Sequence, residues 1–331
     1  MMAIQHQEWS GDSRTHPALK GGPVSMEPFT TEMFTEAVIR GGGSLQPLDD
    51  TTKGLLWVSP RGAEELQEIL DRYPGIEWVQ LPWAGVDAFT SVLARLAAQA
   101  PKDRPVVTSA KGAYSEPVAE HALALLLGTM RELPSKARDA RWQGERTGLS
   151  LFGRHIVLLG AGGVARAFLD VVAPFRPRVT VVRRSSGDVP GATATVSPEH
   201  LHEVLPNADA VVVAAAATSQ TVHVIGEREL ALMPAHAVLV NIARGSLVDA
   251  DAVLKAVASG GLFGAGLDVM DPEPFPDDHP IWREKRIVIT SHSADTPPMT
   301  EPLLARRISA NVASYVAGAA LTGVVDVEAG Y

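Results

Sequence analysis

HIVLLGAGGVAR, residues 155–166, decides the fold of this chain. Residues 156–159 are apolar and lead into a glycine turn, and the apolar residues after it recur at helical spacing, which predicts a strand, a tight turn and a helix. In such a unit Gly160 makes the sharp turn, Gly162 lets the backbone approach a pyrophosphate, and the small Ala165 lets the helix pack on the strand. The N–H groups at the start of the helix attract phosphate. A Gly-x-Gly-x-x-Ala match also occurs in ordinary loops, but the strand and helix around it favour dinucleotide binding.

Composition and charge narrow the class of protein. The chain has 331 residues, of which 46% are hydrophobic and 20% charged, as in a globular protein of one large or two ordinary domains. The net charge of −9 argues against a nucleic-acid or anionic-membrane partner, because binding phosphate polymers needs a positive surface. The absence of cysteine excludes disulfides, thiolate metal sites and a catalytic thiol, and no metal site is predicted. Without a signal-peptide core in residues 1–20 or a run of about 18 apolar residues, we expect a cytoplasmic protein with no membrane span.

Strands and helices alternate in the first part of the chain. The patterns predict strands at 23–26, 55–58, 76–81 and 105–109 and helices at 31–39 and 63–73. This alternation indicates a small parallel α/β domain. A long helix at 116–131 is apolar on nearly all sides in its second half, so we expect it to be buried. The polar first twenty residues are expected to form a mobile tail.

A second, more regular α/β series begins at His155. Its predicted strands are 156–159, 179–182, 210–214, 237–241, 265–269 and 287–290. A helix is predicted at 252–259, with Asp249 as its N-cap and the following glycines as its end. Continuous apolar strands with helices between them indicate a parallel sheet covered on both faces. The amphipathic segment 297–319 is expected to form a helix that returns to the first domain.

The residues just after each strand are the ones to inspect, because ligands of open α/β sheets lie at the carboxyl ends of the strands. Arg183, Arg184 and Ser185 follow a predicted strand about 20 residues beyond the glycine turn, where NAD-binding proteins place an acidic residue for the ribose. Cations and hydroxyls there suit a 2′-phosphate, since a guanidinium pairs with phosphate through parallel hydrogen bonds. NADP(H) is therefore favoured over NAD(H), with a solvated strand end as the alternative.

Three further strand ends carry a cation, a carboxylate and an imidazole. They are Arg244 in NIARGSLVD, Glu273 in LDVMDPEPF and His292 in ITSHSAD. Each alone is compatible with an exposed or structural residue. Together they suit carbonyl reduction: the cation holds a substrate carboxylate, the imidazolium donates a proton, and the carboxylate keeps the imidazole oriented and protonated. The hydride belongs to a nicotinamide.

Several spaced motifs occur in order between about residues 76 and 310: EPVAEHALALLLG, LFGRHIVLLGAGGVAR, LVNIARGSLVD, GAGLDVMDPEP and IVITSHSAD. This set resembles the D-isomer-specific 2-hydroxyacid dehydrogenase family, which includes glyoxylate and hydroxypyruvate reductases. The resemblance implies an α/β fold with a Rossmann-type doubly wound parallel-sheet domain and a smaller, flavodoxin-like α/β substrate domain, discontinuous in sequence. Residues 122–296 would form the dinucleotide domain and residues 1–121 with 297–331 the substrate domain, with the active site in the cleft between them.

The resemblance also assigns roles to individual residues. Arg244, Glu273 and His292 match the catalytic set, and Asp268 matches the residue that holds the nicotinamide carboxamide. Backbone N–H groups of one loop would take the substrate carboxylate: Trp83, Ala84, Gly85 and Val86. The cofactor-binding residues would be Gly160, Gly162, Gly163, Val164, Arg183, Arg184, Ser185, Ala216, Thr221, Ala243 and Asp268.

An aromatic residue and three departures complete the resemblance. Trp142 matches an aromatic that, in related reductases, reaches toward the active site of the other subunit, so a homodimer is implied. Ala165 stands in place of the third glycine, Ser291 in place of a proline before the histidine, and alanines at 215–217 replace bulkier residues. These departures bear on cofactor geometry more than on the chemistry.

The predicted reaction is the NADPH-dependent reduction of a short 2-oxo acid, such as glyoxylate or hydroxypyruvate, to the D-2-hydroxy acid. Two alternatives stay open at this point. The first is an NAD-preferring dehydrogenase of a bulkier D-2-hydroxy acid, with Arg183 and Arg184 merely exposed. The second is a non-catalytic protein that binds NAD(P) and reports redox state to a partner.

Overall fold

The computed structural model describes residues 19, 21–142 and 146–330. The tail predicted for the first twenty residues lies outside the described residues, apart from Leu19. The chain divides into two compact units, residues 1–114 with 297–331 and residues 115–296. One unit is therefore discontinuous in sequence, as predicted. The second unit begins at Ser115, at the start of a helix, rather than at the predicted residue 122 inside it.

The elements are numbered in chain order. The strands are β1 Val24–Glu27, β2 Gly54–Trp57, β3 Trp78–Gln80, β4 Val106–Thr108, β5 His155–Leu159, β6 Arg178–Val182, β7 Ala194–Val196, β8 Ala210–Val213, β9 Val238–Asn241, β10 Gly264–Leu267 and β11 Ile287–Ile289. The helices are α1 Glu32–Arg40, α2 Ala63–Arg72, α3 Thr90–Ala97, α4 Ser115–Met130, α5 Leu133–Ala137, α6 Gly163–Val172, α7 Leu201–Val204, α8 Glu227–Leu232, α9 Ala250–Ala258 and α10 Pro297–Val316. Of these, α3, α5 and β7 were not predicted, and α7 and α8 were expected only as helices between strands, without assigned residues.

The first unit contains a parallel sheet in the order β1-β2-β3-β4. Leu45 adds a single parallel bridge to Val24, on the edge of β1 away from β2. Since Leu45 lies between β1 and β2 in the chain, counting this bridge as a strand gives the order 2-1-3-4-5 of a flavodoxin-like sheet. The predicted fold of this unit is confirmed, with its second strand reduced to one bridge.

Alternating side chains of β2 supply two cores, one on each face of this sheet. Leu56 packs in a cluster with residues of α1 and α10, such as Phe34 and Ile308. Leu55 and Trp57 face the opposite way and pack with residues of α2 and α3. Because both faces are covered, the loops at the strand ends are the places where this unit can offer polar backbone groups to a ligand.

The second unit contains a parallel sheet in the order β11-β10-β9-β8-β5-β6-β7. The chain runs outward from β5 through β6 to β7, then returns to the other side of β5 at β8. This is the Rossmann order extended by one strand, and the reversal between β5 and β8 is the switch point at which such sheets bind ligands. The predicted doubly wound fold is confirmed.

Helix α4 lies against one face of this sheet because strand β10 is rich in glycine. A Cβ on Gly264 would lie 2.9 Å from Cγ2 of Thr129, and one on Gly266 would lie 2.8 Å from Cβ of Leu125. The missing side chains thus let α4 approach the strand that ends immediately before Asp268. Among the described helices, none combines the length and apolar character needed to cross a bilayer.

Candidate active site

The glycine turn after β5 is fixed by contacts at the switch point. Gly160 has a φ of +103°, and a Cβ there would lie 2.4 Å from the carbonyl oxygen of Ala214, just after β8. Its N–H donates to the carbonyl of Val182 at 2.8 Å. Only glycine satisfies both the left-handed backbone and this close approach.

The start of helix α6 has the shape that a pyrophosphate requires. Gly162 caps the helix with extended backbone, and a Cβ added to it would meet nothing within 4 Å. Gly163 and Val164 begin the first turn, whose N–H groups have no partner within the helix. Small Ala165 is buried against the unit's interior. An open space in front of helical N–H groups fits an anionic diphosphate.

A cavity of about 210 Å³ lies at the end of β6. Arg183, Arg184 and Ser185 line it, together with Asp188 and Ser197. Two arginines and four residues with hydroxyl groups suit a phosphate monoester, while Asp188 is the acidic residue of the lining and opposes it. The three residues singled out from the sequence therefore share one cavity.

The loop after β8 is closed by the hydroxyl of Thr221. This hydroxyl donates to the carbonyl of Ala216 at 2.9 Å and accepts from the N–H of Thr218 at 2.8 Å. Ala216 is exposed at the tip of this loop. The contacts of Thr221 show that it shapes the loop, and its role toward a cofactor stays a prediction, as does that of Ala216.

Arg244 stands on a short segment that a buried asparagine fastens to the end of β9. Asn241 donates through Nδ2 to the carbonyl of Arg244 at 2.9 Å and accepts through Oδ1 from the N–H of Ala243 at 3.1 Å. The Arg244 guanidinium donates from Nη1 to the Ala243 carbonyl at 2.7 Å. Both the backbone and the side chain of Arg244 are therefore oriented by their own segment.

Gly245 brings the segment of Arg244 against the segment that carries Glu273. A Cβ at Gly245 would lie 1.9 Å from the carbonyl carbon and oxygen of Met270 and 2.5 Å from the nitrogen of Asp271. Such distances leave no room for any side chain. This glycine had not been singled out in the sequence, because its requirement arises from a contact between two strand ends and not from its own turn.

His292 and Glu273 form the pair that the sequence predicted. Nδ1 of His292 lies 2.8 Å from Oε2 of Glu273, and Oε1 of Glu273 accepts from the N–H of Met270 at 3.0 Å. The His292 side chain is 49% exposed, so its ring has one edge against the carboxylate and the other open. A ring whose Nδ1 donates to a carboxylate presents Nε2 for proton transfer.

Asp268 lies behind the loop of His292. It is 1% exposed, and its carboxylate accepts from the N–H groups of Ser293 at 2.9 Å and Ala294 at 3.1 Å and from the Thr290 hydroxyl at 2.7 Å. Burial acts to raise the pKa of Asp268, but hydrogen bonds from His121, Thr290 and Ser293 outweigh it and hold the pKa below its ordinary value. The contacts of Asp268 in this structure are with the loop and with His121 of α4. Its predicted contact with a carboxamide stays a prediction.

Asp295 was not predicted and stands three residues after His292. It is partly buried, and burial raises its pKa, as does the charge of Asp268, while His292 and Arg244 act in the opposite direction. An additional carboxyl group thus shares the electrostatic surroundings of the predicted catalytic residues. Nothing in its sequence position separated it from an ordinary loop residue.

The loop at residues 83–86 belongs to the other unit and is held through its carbonyl groups. The Tyr114 hydroxyl donates to Pro82 at 2.6 Å, and the N–H of Ala110 donates to Trp83 at 3.0 Å. In the part of the chain that the structure describes, the N–H groups of Ala84, Gly85 and Val86 donate to no protein acceptor. Backbone N–H groups in a row can bind an anion such as a carboxylate.

Two remaining predictions concern the surface and metals. Trp142 is 98% exposed and lies next to residues 143–145, which are outside the described residues. Within residues 19, 21–142 and 146–330, no three histidine, aspartate or glutamate side chains come together as metal ligands.

The arrangement defines a class of protein. A Rossmann sheet with a phosphate cradle at its switch point and an acid–base histidine at a neighbouring strand end is typical of a dinucleotide-dependent oxidoreductase. Comparisons with known proteins narrow this class. A family model described as D-isomer specific 2-hydroxyacid dehydrogenase, NAD binding domain, matches residues 122–294.

Similar sequences agree with the family model, and a solved structure agrees with the fold. An uncharacterized protein from Corynebacterium melassecola is 32% identical over 302 residues, which cover 90% of this chain and 96% of the relative. A glyoxylate reductase from Thermococcus gammatolerans is 30% identical over 235 residues, covering 67% of this chain and 70% of the relative. The structure of a D-isomer specific 2-hydroxyacid dehydrogenase from Xanthobacter autotrophicus, in complex with NADPH and MES, superposes with a TM-score of 0.76 at 23% identity and covers 94% of this chain and 100% of that one.

The chain belongs to the D-isomer specific 2-hydroxyacid dehydrogenase family. It is an NAD(P)-dependent oxidoreductase that acts on a small-molecule hydroxy or oxo acid. The resemblance identified from the sequence motifs is confirmed, as is the use of a nicotinamide cofactor.

Proposed function

We propose that the protein uses NADPH to reduce a short 2-oxo acid, such as glyoxylate or hydroxypyruvate, to the D-2-hydroxy acid. The observation that carries the proposal is the pairing of Nδ1 of His292 with Oε2 of Glu273 at 2.8 Å. These two residues and Arg244 follow three consecutive strands of the sheet, β11, β10 and β9. The similarity to a glyoxylate reductase supports the choice of a small acid.

His292 acts as the proton donor in this proposal. Its Nδ1 is bound to Glu273, so Nε2 delivers the proton to the substrate carbonyl oxygen as that oxygen gains negative charge. Glu273 cannot easily turn away from the ring, because its other oxygen accepts from the N–H of Met270 at 3.0 Å. When bound, the nicotinamide supplies the hydride.

Arg244 binds the substrate carboxylate. Its guanidinium carries several N–H donors, so the bond to the Ala243 carbonyl at 2.7 Å orients the group while others serve the anion. In the first unit, the backbone N–H groups of Ala84, Gly85 and Val86 are the proposed donors to a carboxylate. The Trp83 ring, whose centroid lies 5.7 Å from that of Tyr114, favours a small substrate because it is a bulky and fixed wall.

In this proposal the protein binds the cofactor mainly through the phosphate groups of the cofactor. The turn at Gly160 and Gly162 and the first residues of α6, Gly163 and Val164, take the pyrophosphate. Arg183, Arg184 and Ser185 take the 2′-phosphate, which is the basis for preferring NADPH to NADH. Ala216, Thr221, Ala243 and Asp268 complete the proposed cofactor-binding set.

The test is the loss of NADPH absorbance with a panel of 2-oxo acids that differ in side-chain length. We expect turnover with glyoxylate or hydroxypyruvate and a loss of about a hundredfold or more in kcat/KM in Arg244→Ala, because the substrate carboxylate loses a charged partner. Arg228→Ala, which removes an exposed arginine on α8, is the matched control. Near-normal turnover in Arg244→Ala would remove the role assigned to it, and tight NADPH binding without any turnover would favour the cofactor sensor.

Cofactor preference is tested separately. We expect kcat/KM to be higher with NADPH than with NADH. The double variant Arg183→Ala/Arg184→Ala should lower kcat/KM for NADPH alone, because NADH lacks the 2′-phosphate. An equal loss with both cofactors would contradict this assignment. Higher efficiency with NADH in the wild type, together with a preference for longer side chains, would favour the NAD-preferring dehydrogenase.

We also propose a homodimer, supported by the 98% exposure of the Trp142 side chain. An indole in full contact with water is a favourable group to bury in an interface. Sedimentation should show a dimer for the wild type and weaker association for Trp142→Ala. A monomeric wild type would contradict the proposal.

A further inference from the structure

A chain of hydrogen bonds runs from helix α4 to the loop of His292. Nε2 of His121 lies 2.8 Å from the hydroxyl oxygen of Thr290 and 3.3 Å from Oδ1 of Asp268. The Thr290 hydroxyl donates to the same Oδ1 at 2.7 Å. His121 stands on a helix that otherwise buries mostly small and apolar side chains, and its own side chain is 22% exposed.

The direction of each hydrogen bond follows from the number of protons available. The Thr290 hydroxyl has one proton, which it gives to Asp268, so toward His121 it can only accept. Nε2 of His121 must therefore carry a hydrogen, and that N–H points at both Thr290 and the Asp268 carboxylate. A bare nitrogen lone pair in this position would face two oxygen acceptors.

Asp268 in turn binds the backbone of the loop that carries His292. Its carbonyl accepts from the N–H of His292 at 2.7 Å, and its carboxylate accepts from the next two N–H groups, those of Ser293 and Ala294. His292 has a φ of +47°, a left-handed conformation that is unfavourable for a residue other than glycine. Three consecutive N–H groups bound to one residue offset this cost and fix the direction of the His292 side chain.

The charged groups around Asp268 do not supply the same support. Asp295 is a carboxyl group and cannot neutralise Asp268, and the charge of Arg244 acts on Asp295. Among the groups that lower the pKa of Asp268, His121 has the largest effect, ahead of the uncharged donors Thr290 and Ser293, and burial opposes all three. The anionic state that the loop needs as its acceptor thus depends on the donor from α4.

We infer that His121 is a positioning residue of the catalytic site, which acts through Thr290 and Asp268 to hold the loop of His292 in the conformation that pairs its ring with Glu273. The inference rests on the proposed role of His292 as proton donor. The effect on the reaction comes from geometry, since displacement of a catalytic group by about 1 Å can cost about a hundredfold in rate.

Three variants test the inference. His121→Leu suits a helix but removes the N–H donor, Thr290→Val removes the bridging hydroxyl at nearly equal volume, and His121→Gln keeps an N–H at a comparable distance from the backbone. We expect His121→Leu to lower kcat about tenfold to a hundredfold with KM for the 2-oxo acid within about twofold, because substrate binding by Arg244 is not touched. His121→Gln should recover most of kcat. Both single changes break the same series of hydrogen bonds. The loss of kcat in the double variant His121→Leu/Thr290→Val should therefore be smaller than the product of the losses in the single variants.

The pH profile separates positioning from simple packing. Without the His121 donor the pKa of Asp268 rises, so the carboxylate is protonated at higher pH than in the wild type and the loop loses its acceptor. The acid limb of kcat should therefore move to higher pH in His121→Leu and return in His121→Gln. Glu120→Leu, a change of an exposed neighbour on α4, should alter neither kcat nor the profile.

Hydrogen exchange of the His292, Ser293 and Ala294 amides provides a readout that needs no turnover. Faster exchange at these amides in His121→Leu, with a return to the wild-type rate in His121→Gln, supports the inference. This holds even if the protein reduces no 2-oxo acid, because the lack of turnover would count against the proposed function alone. An unchanged kcat with unchanged exchange would overturn the inference. So would a loss of kcat and thermal stability that His121→Gln fails to restore.

Discussion

The His292–Glu273 pair leads to a prediction at the scale of single residues. Glu273→Gln keeps the size of the side chain but replaces the carboxylate that lies 2.8 Å from Nδ1 of His292 with an amide. We expect kcat/KM for reduction at neutral pH to fall about tenfold or more, because the ring is no longer held with Nε2 toward the substrate. The measurement is kcat/KM of the variant and the wild type with the same 2-oxo acid.

A second His–Glu pair in the chain is a matched control. Nδ1 of His200 lies 3.0 Å from Oε1 of Glu203, and both side chains are exposed. Glu203→Gln removes the same charge from the same kind of contact at the surface and should leave kcat/KM unchanged. Wild-type kcat/KM in Glu273→Gln would show that the carboxylate has no part in proton transfer.

The sequence reveals a site residue when its position along a strand makes it conspicuous. Arg244, Glu273 and His292 follow apolar strands, and parallel strands end at one edge of a sheet, so their proximity could be predicted. His121 lies in the middle of a helix, where a single polar residue is compatible with simple burial. The burial of Asp268 depends on a loop that turns back over it after the next strand, which no local pattern indicates.

At the scale of elements, the contact between two strand-end segments sets the geometry of the site. Gly245→Ala would place a Cβ 1.9 Å from the carbonyl carbon and oxygen of Met270, and these are backbone atoms that cannot move without their segment. We expect a loss of about 1–3 kcal/mol in the free energy of unfolding, as for overpacking of a tight interior. Separation of Arg244 from Glu273 should lower kcat/KM by about tenfold or more.

Another glycine distinguishes this steric effect from a general cost of alanine. Gly261, after α9, would place a Cβ 3.5 Å from its nearest neighbours, which is ordinary contact. Gly261→Ala should therefore change neither thermal stability nor kcat/KM appreciably. If Gly245→Ala retained wild-type kcat/KM, the two segments would not need their close contact for catalysis.

The elements that escaped sequence prediction have weak local patterns for identifiable reasons. Strand β7 is an edge strand with partly exposed side chains, so it lacks the apolar run of the central strands. Helix α5 has five residues and none is buried, so no periodicity marks it. Helix α3 follows a short turn of 3₁₀ helix without a side-chain cap, which hides its start. The predicted helix α9 has the opposite character, since Asp249 caps it by accepting from the N–H of Ala252 at 3.0 Å.

At the scale of the whole molecule, the two units differ in how their ionisable groups respond to acid. Residues of the second unit with a lowered carboxyl pKa include Glu132, Asp209, Glu229 and Asp268, in each of which hydrogen bonds and nearby cations outweigh burial. Burial also lowers the pKa of His155 in this unit. Asp295 of the same unit is opposite in sign, since burial raises its pKa. In the first unit burial raises the pKa of Glu27, and the lowered group, Asp49, is fully exposed.

The sign of each contribution follows from linkage between protonation and folding. A carboxylate whose pKa is lowered by folding stabilises the protein above the unfolded pKa of about 4, and this stability is lost as pH falls through the folded value. A histidine that burial keeps neutral also makes the protein less stable as pH falls below about 6.5. The reason is that the histidine then binds a proton in the unfolded state but not in the folded state. Glu27 acts oppositely, since a raised carboxyl pKa gives stability that is present at low pH and lost as pH rises.

We therefore expect acid to unfold the second unit before the first. After incubation at pH values from about 7 down to about 3.5, a short hydrogen-exchange pulse at one fixed pH should show β5, β8 and β9 losing protection at higher pH than β2 and β3. Asp209→Asn should narrow the gap, because it removes a carboxylate that accepts from the His155 N–H at 2.8 Å and pairs with Arg154 at 2.9 Å. The variant should be less stable than the wild type at neutral pH and lose less stability on acidification. Loss of protection in both sheets at the same pH would mean that the chain unfolds as one cooperative body, and that the lowered carboxyl pKa values of the second unit do not act on it alone.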